Sequence, residues 1–226
     1  MSSPSFNFIW LTADKSGNEF KDLVERITLA CSTDYSRPIL KGCLFEIKDN
    51  LLTSVALDGF RMSVCRKLVK SSGDFSAIIP ARTLNEIVRL LEKDDSIKVY
   101  IQKNTLLVEF ENTVVYSRLI EGEFVKYSHI LPNSFENVVT VRKDDLVASI
   151  ERASIVAKND KYNVIRFDIK ENFMNVIAKS EVGNVNESVI VNLNGKDLLI
   201  AFNGKYILEY LKTIEDEFIN IHSAPF

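Results

Sequence analysis

His129 and His222, with Cys31, Cys43 and Cys65, are the chain's whole stock of imidazoles and thiols. Ser128 and His129 are adjacent, which puts a hydroxyl beside a base. A working nucleophile also needs a third group that orients the base, and the sequence implies none. A hydrolase built on His129 would lose turnover in His129→Ala. No GxxxxGKS/T, GxGxxG, HExxH or GxSxG pattern occurs. The cysteines are odd in number and form no CxxC pair, and the two histidines are far apart. A closed zinc site wants four nitrogen or sulfur ligands at tight spacing, so no metal or other cofactor is expected and the thiols read as reduced and buried. The expectation is a protein without a catalytic site.

The elements that would position any binding residues follow from composition. The 226 residues are 46% hydrophobic and 26% charged, which suits a globular protein and excludes a disordered, collagen-like or disulfide-stapled chain. At roughly 100–200 residues per domain, one or two domains fit. No uncharged apolar run reaches the ~18 residues of a membrane span. The opening MSSPSFNFIW lacks the basic and apolar regions of a secretory signal. The expected location is therefore cytoplasmic. Net charge is −3, and division after Asn133 gives 17 basic and 17 acidic residues, then 11 and 14. Neither part is a polycation, so any hold on nucleic acid is local, weak and salt-sensitive.

Asp14–Gly17 reads as a turn. Phe20, Leu23, Val24, Ile27, Ala30 and Cys31 recur at helical spacing, which predicts a helix over 18–33 with Asn18 as its cap. Ile39–Ile47 and Leu51–Ala56 read as strands around a Lys48-Asp49-Asn50 turn, and Asp58-Gly59 as a tight turn. A short strand ends at Ile79. Pro80 opens a helix striped by Leu84, Ile87, Val88 and Leu91. Strands follow near 98–101, 106–110 and 114–119. Leu131–Ser134 reads as a linker between domains 1–133 and 134–226. Beyond it come a helix through Leu146, Val147, Ile150 and Ala153, strands near 164–169, 174–178, 189–193 and 198–202, and a helix carrying Ile207, Tyr210, Leu211 and Ile214.

The order repeats. Leu23, Val24, Ile27 and Ala30 map onto Leu146, Val147, Ile150 and Ala153 at an offset of 123. Leu84, Glu86, Val88 and Leu91 map onto Ile207, Glu209, Leu211 and Ile214 at the same offset, and Ile47-Lys48 and Asn50 onto Ile169-Lys170 and Asn172 at 122. Three matches in one register, allowing a one-residue deletion for the middle one, indicate a duplicated module. The second copy stops about one strand after its second helix, so the chain is expected to be part of something longer.

Four segments carry a resemblance. Arg37-Pro38-Ile39-Leu40-Lys41-Gly42-Cys43-Leu44-Phe45 resembles the R-P-I-L-x-G-x-L-F segment of bacterial sliding clamps, the beta subunit of DNA polymerase III. Ala56-Leu57-Asp58-Gly59-Phe60-Arg61-Met62 is similar to the family's A-T-D-G-H/Y-R-L. Leu119–Tyr127 with Ile130-Leu131-Pro132 resembles L-I/V-D/E-G-x-F-P-D-Y-x-x-V/I-I/L-P. Phe202–Leu208 resembles F-N-x-x-Y-L/V-L/I. The resemblance they carry extends over about residues 5–222 and corresponds to the family's second and third domains. Leu57 stands where the family has Thr, Val125 where it has Pro, and Lys126 where it has Asp.

The resemblance implies an α+β clamp fold: two tandem similar domains, each with two helices on antiparallel sheets, the second incomplete at its C-terminus. It implies a non-catalytic processivity factor that tethers replicative DNA polymerase to duplex DNA. The family closes as a head-to-tail homodimer ring, which this fragment is not expected to form. The implied partners are DNA without sequence preference, the DNA polymerase III alpha subunit, the clamp loader and other proteins bearing a clamp-binding motif, and no membrane. A sliding ring needs only sparse, exchangeable phosphate contacts because topology retains it. The DNA-facing candidates are Arg37, Arg82, Lys143 and Lys205. The implied peptide groove, between the two domains, is walled by Leu40, Leu57, Gly59, Phe60, Arg61, Met62, Val125, His129, Ile130, Asn203 and Tyr206. Ile155 and Val156, just after the third helix, correspond to ring-interface positions. The alternative is a protein-binding scaffold that keeps the groove without encircling DNA.

Overall fold

Phe20, Leu23, Val24 and Ile27 are all buried on one face of α1 (Ser16–Thr28), at the i, i+3, i+4, i+7 spacing of an amphipathic helix. The computed structural model describes residues 7–11, 16–92, 95–158, 162–181 and 183–225. The chain divides into two units, 1–127 and 128–226. The division precedes the Leu131–Ser134 stretch because Tyr127 is tied to the first unit, its hydroxyl donating to Glu46 Oε2 at 3.1 Å.

The first unit holds β1 (Asn7–Leu11), α1, β2 (Gly42–Lys48), β3 (Leu51–Leu57), β4 (Met62–Ser71), β5 (Phe75–Pro80), α2 (Ala81–Leu90), β6 (Ile97–Gln102), β7 (Thr105–Phe110) and β8 (Thr113–Arg118). All eight strands form one antiparallel sheet in the order β5-β2-β3-β4-β1-β6-β7-β8. Asp49 and Asn50 both have positive φ, 51° and 63°. That is the demand of the two-residue turn that closes Lys48 against Leu51. Helices α1 and α2 cover one face, where Leu84 and Ile87 of α2 meet Phe45, Ile47, Ile79 and Val99 of the strands.

The second unit repeats the plan with β9 (Asn137–Arg142), α3 (Lys143–Ala157), β10 (Val164–Ile169), β11 (Phe173–Ser180), β12 (Gly183–Asn194), β13 (Leu198–Asn203), α4 (Gly204–Leu211) and β14 (Phe218–Ser223). Its sheet order, β13-β10-β11-β12-β9-β14, matches the first six strands of the other sheet in connectivity. Leu146, Ile150 and Ala153 of α3 and Leu211 of α4 pack on Ile165, Phe167 and Val176. The duplication read from spacing is thus a duplication of topology.

Several local expectations shift. Helix α1 ends at Thr28, because Ala30 and Cys31 donate three residues back, to Ile27 and Thr28, and tighten the last turn. Asn18 lies inside α1 and does not cap it. Residues Pro38–Lys41 form a single 3₁₀ turn, with Pro38 at its start, and the strand begins only at Gly42. The Asp14–Gly17 turn falls partly outside the described residues. Ile214 follows α4, held by its N–H on Leu211 O. Strands β1, β4 and β9 were not anticipated.

Candidate peptide and DNA contact residues

The β3–β4 turn places the most exposed aromatic of the candidate wall. Leu57 pairs with Met62, so Asp58 to Arg61 form the loop. Asp58 Oδ1 accepts from the Phe60 and Arg61 N–H groups at 2.9 and 3.0 Å, and Oδ2 from Arg61 Nε at 3.1 Å. Gly59 takes a φ of 99°, open to glycine at little cost. One carboxylate therefore fixes the loop, which holds Phe60 87% exposed. An aromatic held in water by a rigid turn loses no contact to the fold and is available to a ligand.

Beneath this rim lies a second apolar cluster, on the sheet face away from the helices. Leu40, Leu44, Val55, Leu57, Ile78 and Phe124 are buried there, with Met62, Ile120 and Tyr127 packed at its margin. Strand β2 feeds both clusters, Cys43 and Phe45 on the helix side and Leu44 on this one. Leu40 and Leu57 are 8% and 7% exposed, so they form a floor, and Met62 lies half-buried between floor and rim. The segment after β8 closes the cluster: Ile120 N–H donates to Ile78 O at 2.9 Å and Phe124 turns inward. Val125 stays exposed. Burial of the Tyr127 phenol and its bond to Glu46 raise its pKa.

Arg37 lies at the entry to the Pro38–Lys41 turn. Its guanidinium passes within 3.1 Å of where a side chain at Gly59 would start, beside Phe60. The preceding loop is braced by Asp34, whose carboxylate accepts from the Ser36 hydroxyl and N–H at 2.6 and 2.8 Å. Those bonds, chiefly the hydroxyl's, lower the Asp34 pKa. Lys41 Nζ sits 3.3 Å above the Tyr35 ring. Arg37 itself is exposed. Arg82, in the first turn of α2, is also exposed.

The second unit carries the other candidates. Lys205, in the first turn of α4, is largely exposed and stands 3.8 Å from Glu209. Lys143 differs, since its Nζ donates to Ile214 O at 3.0 Å and its side chain is only 21% exposed. Its ammonium hydrogen-bonds a carbonyl just past the C-terminus of α4 and stands 3.6 Å from Asp144 Oδ1, so part of its donor capacity is spent within the fold. Asn203 caps α4, its Oδ1 accepting from the Lys205 N–H at 3.0 Å. Tyr206 is half-buried. His129 and Ile130 are exposed, His129 ending a short 3₁₀ turn. Ile155 and Val156 lie within the last turn of α3, not after it. Val156 packs into the core, and Ile155 is 61% exposed.

Residues 15–126 match the family model of the DNA polymerase III beta subunit central domain, and residues 128–223 that of its C-terminal domain. The chain belongs to the DNA polymerase III beta subunit family. It is 35% identical over 200 residues to the beta sliding clamp of Haemophilus influenzae, covering 88% of this chain and 55% of that one. It is 31% identical to the beta sliding clamp of Halalkalibacterium halodurans over 138 residues, 59% of this chain and 36% of that one. A putative DNA polymerase III beta subunit from Eubacterium rectale superposes with a TM-score of 0.90 at 29% identity, over 99% of this chain and 60% of that structure. The DNA polymerase III beta chain of Streptococcus pneumoniae gives the same TM-score and identity, over 99% of this chain and 59% of that structure. The chain thus spans little more than half the length of its beta subunit relatives.

Within the beta subunit family pattern, the Leu57 departure is accommodated as core in the second cluster. Phe124, Leu44, Val55 and Ile78, which pack with the floor residues, were not among the wall candidates. The signal was present in β2, where Cys43-Leu44-Phe45 runs apolar without alternation because both faces are covered.

Proposed function

We propose that this chain is part of a DNA sliding clamp, a non-catalytic cytoplasmic processivity factor whose first unit docks short peptides of the replicative polymerase and other clamp-binding proteins. The observation that carries the reading is Phe60, held out in water by the Asp58-locked turn above the floor of Leu40 and Leu57. A peptide side chain meeting Phe60 and Met62 would find adaptable apolar surface. Arg61 and Gly59 would offer polar edges. Val125 is exposed as well and is a further proposed peptide contact. In the second unit, His129, Ile130, Asn203 and Tyr206 are further proposed peptide contacts. With Asn203 Oδ1 engaged in its cap, its amide NH₂ is the group left for a peptide carbonyl. Arg37, Arg82 and Lys205 are the proposed DNA contacts, few and exposed as sliding requires. Lys143 is withdrawn from that set by its bond to Ile214 O. Ile155 is the proposed contact to a further clamp domain.

The test is fluorescence anisotropy with a labelled clamp-binding peptide from a DNA polymerase III alpha subunit. Binding near 1 μM, about −8 kcal/mol, is expected. Equal binding of a scrambled peptide would overturn the proposal.

A further inference from the structure

Cys31 and Cys43 do not belong to the proposed peptide wall, yet their sulfur atoms are 3.3 Å apart. Cys31 follows α1, its N–H bonded to Thr28 O, and Cys43 is the second residue of β2. The backbone between them already returns on itself, because the Ser32 N–H donates to Leu40 O at 2.8 Å. Joining the sulfurs at the ~2.05 Å of a disulfide needs them to close by about 1.3 Å, within reach of side-chain rotation. We propose that this pair is an oxidative modification site, at which hydrogen peroxide converts the two thiols into an intramolecular disulfide.

The two sulfurs have unequal roles. Cys43 is fully buried, and its hydrogen bond with Cys31, followed by burial, holds its thiol strongly protonated. Cys31 is partly exposed and meets the oxidant first. Its thiolate attacks the peroxide, forming S–O as O–O breaks, and one water leaves after proton transfer. Cys43 sulfur then attacks the sulfenic sulfur of Cys31. The S–S bond forms, the S–O bond breaks, and the Cys43 proton leaves with hydroxide as the second water. Two thiols are oxidised by two electrons and one peroxide is reduced, so the step balances. The closed ring contains Arg37 and Leu40, which places a covalent staple on the loop beside Phe60. Cys65, on β4, is half-buried with its pKa raised by burial, and the proposal leaves it a free thiol.

The experiment treats the folded chain with hydrogen peroxide, blocks free thiols with an alkylating reagent, and maps a non-reducing digest by mass spectrometry. The expected product is a Cys31–Cys43 linked fragment, two hydrogens lighter, with Cys65 alkylated, and thiol treatment should restore both free cysteines. In Cys43→Ala, which keeps a small apolar core residue, the linked fragment disappears and Cys31 stops at the sulfenic acid or higher oxides. A linkage through Cys65, a link between chains, or oxidation of Cys31 without linkage in the unsubstituted protein overturns the proposal.

Discussion

Phe60→Ala separates binding from folding. Phe60 is 87% exposed, so its removal takes nothing from the core and the melting temperature should not move. A phenyl ring can bury about 150–250 Å² against a partner. If a docked peptide covers half of that, about 75–125 Å² at ~25 cal/mol per Å² is about 2–3 kcal/mol, a rise in Kd of about 30- to 140-fold. Leu57→Ala is the contrast, because Leu57 is 7% exposed in the cluster below. Loss of a buried leucine costs about 2–5 kcal/mol of stability. At about 4 °C per kcal/mol that lowers the melting temperature by roughly 8–20 °C. The assay is paired peptide anisotropy and thermal melting on each variant. If Phe60→Ala melts like Leu57→Ala, or binds peptide as the parent does, Phe60 is no ligand contact and the reasoning fails.

Three further outcomes follow from the same physics. At Gly195, φ is 141°, and a Cβ there would collide with Asn137 Oδ1 and lie 2.8 Å from the Glu136 carbonyl oxygen. Gly195→Ala should therefore destabilise the chain by about 2–4 kcal/mol in chemical denaturation, through strain and loss of the Asn137 bond to Lys196 N–H; an unchanged midpoint would contradict the turn geometry. Arg152 Nη2 holds Glu187 Oε2 at 2.6 Å between α3 and β12 and lowers the Glu187 pKa. A depressed carboxylate contributes stability above its unfolded pKa, about 4.3, and that contribution fades as pH falls through the folded value. Glu187→Gln should flatten the acid-side loss of stability measured by denaturant titration, and an identical pH profile would refute the linkage. Arg82→Ala should reduce the slope of log K against log salt for duplex DNA by about 0.9; an unaltered slope would remove Arg82 from the DNA contacts.

The helices and hairpins were legible because their signals are local. The α1 stripe Phe20-Leu23-Val24-Ile27 and the Asp49-Asn50 turn each lie within a few residues. Strand β4 was hidden because exposed Arg66 and Leu68 sit where clean alternation would show, on a strand buried only in part. Pro38 suits a helical first turn as well as an extended strand, and the Leu40 N–H to Arg37 O and Gly42 N–H to Ile39 O bonds decide it. The candidate wall was legible through the Asp-Gly turn and its apolar neighbours. Its division into floor and rim was not, because Phe124 and Ile78 reach that cluster from distant segments. The withdrawal of Lys143 was invisible for the same reason: its acceptor, Ile214, lies in the segment after α4, 71 residues away.

The most direct measurement is backbone NMR of the isotope-labelled chain titrated with the clamp-binding peptide. The account predicts saturable shifts centred on the amides of Leu57 to Met62, where the Asp58-locked turn presents Phe60. Shifts that spare that turn, or none at peptide concentrations well above micromolar, would contradict it.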